Sequence, residues 1–276
     1  INYNTSGEKI STFTITYSDN TTMVTYGKIY FDYKPITYGL ANSSNLTPGS
    51  CYATDPLKQD FQLQADIPFT GYNAGDPTIK AKIDYRIFYA FAHTDKKVRK
   101  PIIIIDGFDP GDKRKIEDCD CENIPSCASR NTTNGVFDAQ KHRAMKDLMM
   151  YVDNGLTQDL LNKLRSEGYD VIMVNHPTYE TTNLQNGQTV TIDGGAYYIE
   201  SNAMALIKLL QQTKSLLVSN GSTNDIAIVA PSMAGQISRY ALSYMEKKFA
   251  ETNNNIWKHN TYLWISVDSP HLGANI

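Results

Sequence analysis

Asp225–Glu246 reads DIAIVAPSMAGQISRYALSYME, and the architecture of the chain follows from how this stretch turns. DIAIVA is a short apolar run of strand length, and the residues from Ser232 onward read as a helix. The frame Ala230-Pro231-Ser232-Met233-Ala234-Gly235 must therefore pass from strand to helix abruptly. A serine on such a turn is strained and exposed, and its neighbours must be small for the backbone to bend so tightly. A helix start also directs amide N–H groups and a positive dipole end at any anion formed beside it. Ser232 is thus a candidate nucleophile. The plainer reading is a small-residue strand–helix turn with an N-capping serine.

Outward from this turn, apolar strands alternate with amphipathic helices. PIIIIDGF (101–108) is a continuous apolar run, as expected of a parallel strand covered on both faces. LTQDLLNKLRSEGYD (156–170) places Leu160, Leu161 and Leu164 at helical spacing, with Thr157 as N-cap and Gly168 as stop. DVIMVNHP (170–177) is the next buried strand. YYIESNAMALIKLLQQTKSLL repeats apolar positions at Ile199, Ala203, Leu206 and Leu210, a helix, and TYLWISVD (261–268) is a fourth strand. Such alternation implies an α/β fold with a parallel sheet and helices on both faces. Active sites in such sheets sit at the carboxyl ends of the strands.

The front of the chain has a different character. STFTITYS, TMVTYGKIYFDYK, FQLQADI and IKAKIDYRIFYAF read as strands, with a turn at Asp19-Asn20. The expected division is a β-rich extension over 1–80 and the α/β core over 81–276. A net charge of −3 with no basic run gives no reason to propose a nucleic-acid partner, and no apolar stretch is long enough to span a bilayer. Four cysteines, Cys51, Cys119, Cys121 and Cys127, favour disulfides in a secreted or cell-surface protein, with a zinc site or free thiols as the alternatives. N-x-S/T triplets at Asn20 and Asn131 carry little weight in an Asn/Thr-rich chain. The insertion from Asp109 to Asn134 is placed to act as a lid or pocket wall. Its acidic run EDCDCEN (117–123) reads as a solvated loop more readily than as a calcium site. No metal or cofactor is expected.

Four blocks, KPIIIIDGFDP (100–110), GYDVIMVNHP (168–177), PSMAGQISRYAL (231–242) and VDSPHLGAN (267–275), together resemble α/β-hydrolase serine esterases and lipases of the secreted Bacteroidetes type. The resemblance runs from about residue 80 to 276. It implies an ester-cleaving serine hydrolase acting on a small-molecule, lipid or polymer ester through an acyl-enzyme. It also implies oxyanion donors at the amides of Phe108 and Met233. Ala230 and Ala234 stand where the usual G-x-S-x-G frame has glycine, and Asp106 stands where lipases carry histidine. The order nucleophile, acid, base leaves Asp268 as a possible acid and His271 as a possible base. In related lipases the histidine of the P-H-x-G segment shapes the site instead, and His176 is a weaker candidate at the pocket rim. The expectation is accordingly that the remaining strands, with the true acid and base, lie beyond Ile276 or in another chain. The rival readings are an amidase, peptidase or acyltransferase on the same machinery, and a non-catalytic binding module that retains only the fold.

Overall fold

A computed structural model describes residues 7–16, 22–31, 55–117, 132–133, 136–137, 144–153 and 156–273. The chain divides into two units, Ile1–Thr47 and Pro48–Ile276. In the first, β1 (Gly7–Thr16) and β2 (Thr22–Phe31) form an antiparallel hairpin, paired from Gly7↔Phe31 to Thr16↔Thr22. The four cysteines, Asn20, Asn131, His142 and most of the 109–134 insertion lie outside the described residues.

The second unit is built on six strands: β3 (Lys58–Gln64), β4 (Lys82–Phe88), β5 (Pro101–Ile105), β6 (Asp170–Asn175) and, after a β7 (Thr178–Thr182)–β8 (Thr189–Asp193) hairpin, β9 (Ile226–Pro231) and β10 (Thr261–Val267). Their spatial order is β10-β9-β5-β6-β4-β3. Strands β10, β9, β5 and β6 are mutually parallel, whereas β4 runs antiparallel to both its neighbours. Helices α1 (Leu160–Ser166), α2 (Ile199–Ser219) and α3 (Met233–Thr252) make the crossovers between the parallel strands. The result is a mostly parallel sheet with helices on both faces, preceded by a β-rich region: the α/β-hydrolase fold.

The division expected at residue 80 lies inside this unit. β3 pairs with β4 from Lys58↔Phe88 to Gln64↔Lys82, and Leu63 and Ala65 are buried in the main core. The alternation of β3 resembles that of the front strands, so sequence pattern alone could not separate them.

Both faces of the central strands are covered. Ile103 and Ile105 face a cluster with α2 and α3, including Leu206, Leu210, Ile237 and Met245, while Ile102 joins Leu161 of α1, Val171 and Met173 on the other side. All six residues of β6 are buried. Asp170, fully buried at the amino end of β6, accepts the amides of Ala90 (3.0 Å), Arg99 (2.7 Å) and Lys100 (3.1 Å) and contacts His93 Nδ1 at 2.7 Å. It thereby pins the ends of two neighbouring strands.

The cap of α1 differs from expectation. Asp159, not Thr157, is the N-cap and accepts the Asn162 amide at 2.9 Å, because Leu156–Asp159 forms a strand paired with Met150–Asp153. Gly168 does stop the helix, at φ +85°. β10 is the outermost strand and leaves Tyr262, Leu263, Ile265 and Val267 exposed. No helix among the described residues is long and apolar enough to cross a membrane.

Candidate active site

Successive crossovers leave the sheet in opposite directions from β5, whose chain goes on to β6, and from β9, whose chain goes on to β10. The crevice outside their carboxyl ends is the topological switch point, where ligands bind in open α/β sheets. Gly107 follows β5 and Ser232 follows β9, so the two candidate segments meet there. A Cβ placed on Gly107 would lie 3.1 Å from Ser232 Cβ, which leaves no comfortable room for a larger residue.

Ser232 has φ 52° and ψ −128°, a backbone state that L-residues rarely adopt, and α3 begins at the next residue. Such strain costs about 1–3 kcal/mol and clusters at functional positions. Its amide donates to Val267 O at 2.9 Å, which ties the turn to β10. Ala230 and Ala234 are both completely buried, so the two flanks have no space for anything much larger. The indispensable glycine is Gly235, where a Cβ would lie 2.1 Å from Ser269 Oγ and 2.8 Å from Ser266 Oγ. The side chain of Ser232 is exposed, and its hydroxyl has no hydrogen-bond partner among the described residues.

The turn after β5 can be accounted for amide by amide, since each N–H must find an acceptor or face solvent. Asp106 N–H goes to Val174 O at 2.9 Å, Gly107 N–H to Asp106 Oδ1 at 2.8 Å, and Asp109 N–H to Gly195 O at 3.1 Å. Phe108 N–H alone has no acceptor among the described residues. The Met233 amide, in the first turn of α3, has no intrahelical acceptor either. Among the described residues, then, two amides without acceptors adjoin the residues that meet here, Phe108 after Gly107 and Met233 after Ser232.

Asp106 is 3% exposed. Burial pushes its pKa up to about 6, against the opposing pull of Arg114 and the Gly107 amide, with Asp109 adding a smaller upward push. Asp106 Oδ1 accepts Arg114 Nη1 at 2.5 Å, and Oδ2 has no partner among the described residues. The rest of the loop is held by a close backbone approach: a Cβ on Gly195 would lie 2.2 Å from Asp109 O.

The histidines are not brought to Ser232. His271 Nε2 is 2.7 Å from Ser266 Oγ, its ring stands edge-on to Trp264, and Nδ1 is buried without a partner. Gln236 Nε2 donates to Pro270 O, and Ser269 Oγ to Ala230 O at 3.2 Å, so the P-H-L-G segment is stapled beneath the elbow. Asp268 is exposed at φ 47° and is joined to neither His271 nor Ser232. His176, read from sequence as a rim residue, is 2% exposed with both ring nitrogens unpartnered, and burial lowers its pKa to about 4. His93 and His259 lie at the amino ends of β6 and β10, the opposite edge of the sheet. No cluster of three or more metal-ligating side chains occurs among the described residues. A separate cavity of about 430 Å³, lined by Asp60, Phe61, Tyr85, Arg86, Lys115 and Ile116 among others, does not include Ser232.

Sequence reasoning missed Arg114, the Gly194–Gly195 turn and the β7–β8 hairpin. The density of Asp and Gly in DGFDPGDKR was the available signal for the first of these.

Residues 159–276, fewer than half of the chain, match the model of the family described as "Putative serine esterase (DUF676)". That segment contains the Ser232 elbow and the P-H-L-G staple. No curated protein matches the chain. Among solved structures, it is similar to the peroxisomal α/β-hydrolase Lpx1 of Saccharomyces cerevisiae (9% identity, 79% of this chain and 46% of that one, TM-score 0.37). It is likewise similar to the rice cell wall degrading esterase LipA of Xanthomonas oryzae (14% identity, 77% and 42%, TM-score 0.35). The chain spans less than half the length of each of these proteins.

Proposed function

We propose that the chain carries the nucleophile and oxyanion site of a serine hydrolase that cleaves carboxylic esters through an acyl-enzyme. The observation that carries this reading is the strained, exposed Ser232 between strand and helix, beside the Gly107 turn. In the reaction, Ser232 Oγ attacks the ester carbonyl carbon and passes its proton to a base. The amides of Phe108 and Met233 receive the negative charge that develops on the carbonyl oxygen. Backbone donors suit this work because they need no protonation and reorganise little. The alkoxide then leaves with a proton, and water resolves the acyl-serine. His271 serves here as a shaping residue, bound to Ser266, and the base and acid come from groups other than those now described around Ser232. Secretion is part of the proposal, supported by the four cysteines and the Tyr-, Asn- and Thr-rich composition.

Labelling with a fluorophosphonate probe tests the reading. The full chain should label, and Ser232→Ala should not; equal labelling of the two would overturn it. The unpartnered Ser232 hydroxyl favours one second reading, a binding module without catalysis. That reading predicts an unlabelled wild-type protein.

A further inference from the structure

A buried carboxylate with a single cation at one oxygen and nothing at the other is costly, and proteins keep such groups where they do something. Among the described residues Asp106 is that group, and it stands directly before the turn that approaches Ser232. Gly107 has no side chain to fix its peptide planes, and a Cβ there would crowd Ser232 Cβ at 3.1 Å. What fixes the first plane is the carboxylate: Asp106 Oδ1 takes the Gly107 N–H at 2.8 Å. What fixes the far side is Gly195 O, which takes the Asp109 N–H at 3.1 Å. Arg114 closes the clamp at both ends. Its guanidinium reaches Asp106 Oδ1 at 2.5 Å, and its own backbone N–H reaches Asp109 Oδ2 at 2.6 Å. With both flanking amides turned inward, the intervening Phe108 amide is the one left for the crevice.

We propose that Asp106 is a positioning residue for the oxyanion turn: its carboxylate, held by Arg114, keeps the Gly107 amide inward so that the Phe108 amide stays presented to Ser232. The chemical meaning of this rests on the serine-hydrolase reading; the clamp itself does not. The charged groups that bear on Asp106 are Arg114 and Asp109. Protonation of Asp106 weakens both the ion pair and the bond from Gly107, and so loosens the turn.

Two measurements test this separately. The sequence holds two Asp–Gly pairs, 106–107 and 193–194, so labelling aspartate carbonyls with ¹³C and glycine amides with ¹⁵N isolates two resonances. The Gly107 amide should titrate with a midpoint near pH 6, and Arg114→Gln should raise that midpoint by at least half a pH unit. A Gly107 amide that does not titrate between pH 4.5 and 7.5, or ignores Arg114→Gln, would overturn the proposal. In ester hydrolysis by the full chain, Asp106→Ala should lower kcat about 100-fold or more, the loss typical of one oxyanion donor, with KM within a few-fold. Asp106→Asn, which still offers an acceptor to Gly107, should recover at least tenfold of it. Equal losses in the two variants, or an alanine variant within threefold of wild type, would also overturn it. If wild type neither labels nor turns over, the hydrolase reading fails instead, and the Gly107 titration alone decides whether the clamp exists.

Discussion

Asp106→Asn should make the protein more stable at neutral pH, an unusual result for a residue that organises a site. Folding raises the Asp106 pKa from its ordinary 3.8 to about 6, chiefly by burial. At 1.36 kcal/mol per unit, that gap corresponds to about 3 kcal/mol. The sign follows from proton counting. Between pH 3.8 and 6 the unfolded chain has released this proton while the folded one retains it, so stability falls as pH rises and the loss is complete above about 6. His176 acts oppositely. Its pKa drops from 6.5 to about 4 on burial, so it contributes stability above pH 6.5 that is lost as pH falls towards 4, again about 3 kcal/mol. In wild type the two contributions oppose each other across nearly one window. Asp106→Asn removes the first and leaves the second. Its stability should therefore climb by about 3 kcal/mol relative to wild type from pH 4 to 6.5. At pH 7 it should exceed wild type by about 3 kcal/mol, since the favourable pull of Arg114 on the carboxylate is already contained in a pKa of about 6. Urea unfolding of both proteins at pH 4.5 and 7 measures this directly. Equal midpoint differences at the two pH values, or a variant less stable than wild type at pH 7, would refute the reasoning.

Ser232→Gly should stabilise the fold by about 1–2 kcal/mol in thermal unfolding while Ser232→Ala does not, since only glycine relieves φ 52°, ψ −128°. Gly235→Ala should cost at least about 2 kcal/mol, because its methyl would meet Ser269 and Ser266 at 2.1–2.8 Å, both of them fixed to the segment beneath the elbow. His176→Leu should raise stability at pH 5 by about 2 kcal/mol relative to its effect at pH 7.5, as 1.5 pH units of imidazole protonation no longer favour the unfolded chain. Asp170→Asn should lose about 3 kcal/mol in denaturant melts, since one amide oxygen cannot serve three backbone donors.

The strand–helix alternation was legible because parallel strands buried on both faces must be apolar along their whole length, as Ile102–Ile105 and Val171–Val174 are. The position of Ser232 on a strand–helix turn was legible for a related reason: an abrupt turn between such a strand and a helix tolerates few residue types. Strand β3 was misassigned to the front region, because an antiparallel edge partner alternates like any other half-exposed strand. The Thr157 cap failed because a local strand pairing outcompeted a helical first turn. His176 and Asp106 were unreadable for a deeper reason. Whether a polar side chain at a strand end is solvated or entombed depends on what crosses above it, here the Gly194–Ala196 turn and Arg114, and neither is close to both residues in sequence.

The exposed flank of β10 bears on how the molecule can be handled. A sheet is a one-dimensional lattice, and its outermost strand is a growth face offering a row of amides and carbonyls to any extended chain that arrives. Tyr262, Leu263, Ile265 and Val267 make that face adhesive as well as directional. In any preparation where nothing lies against β10, molecules are expected to add to one another along this rim, most readily on warming or concentration. Whatever segment covers the strand then acts as a terminator of lattice growth, on the same strand whose Val267 O accepts the Ser232 N–H.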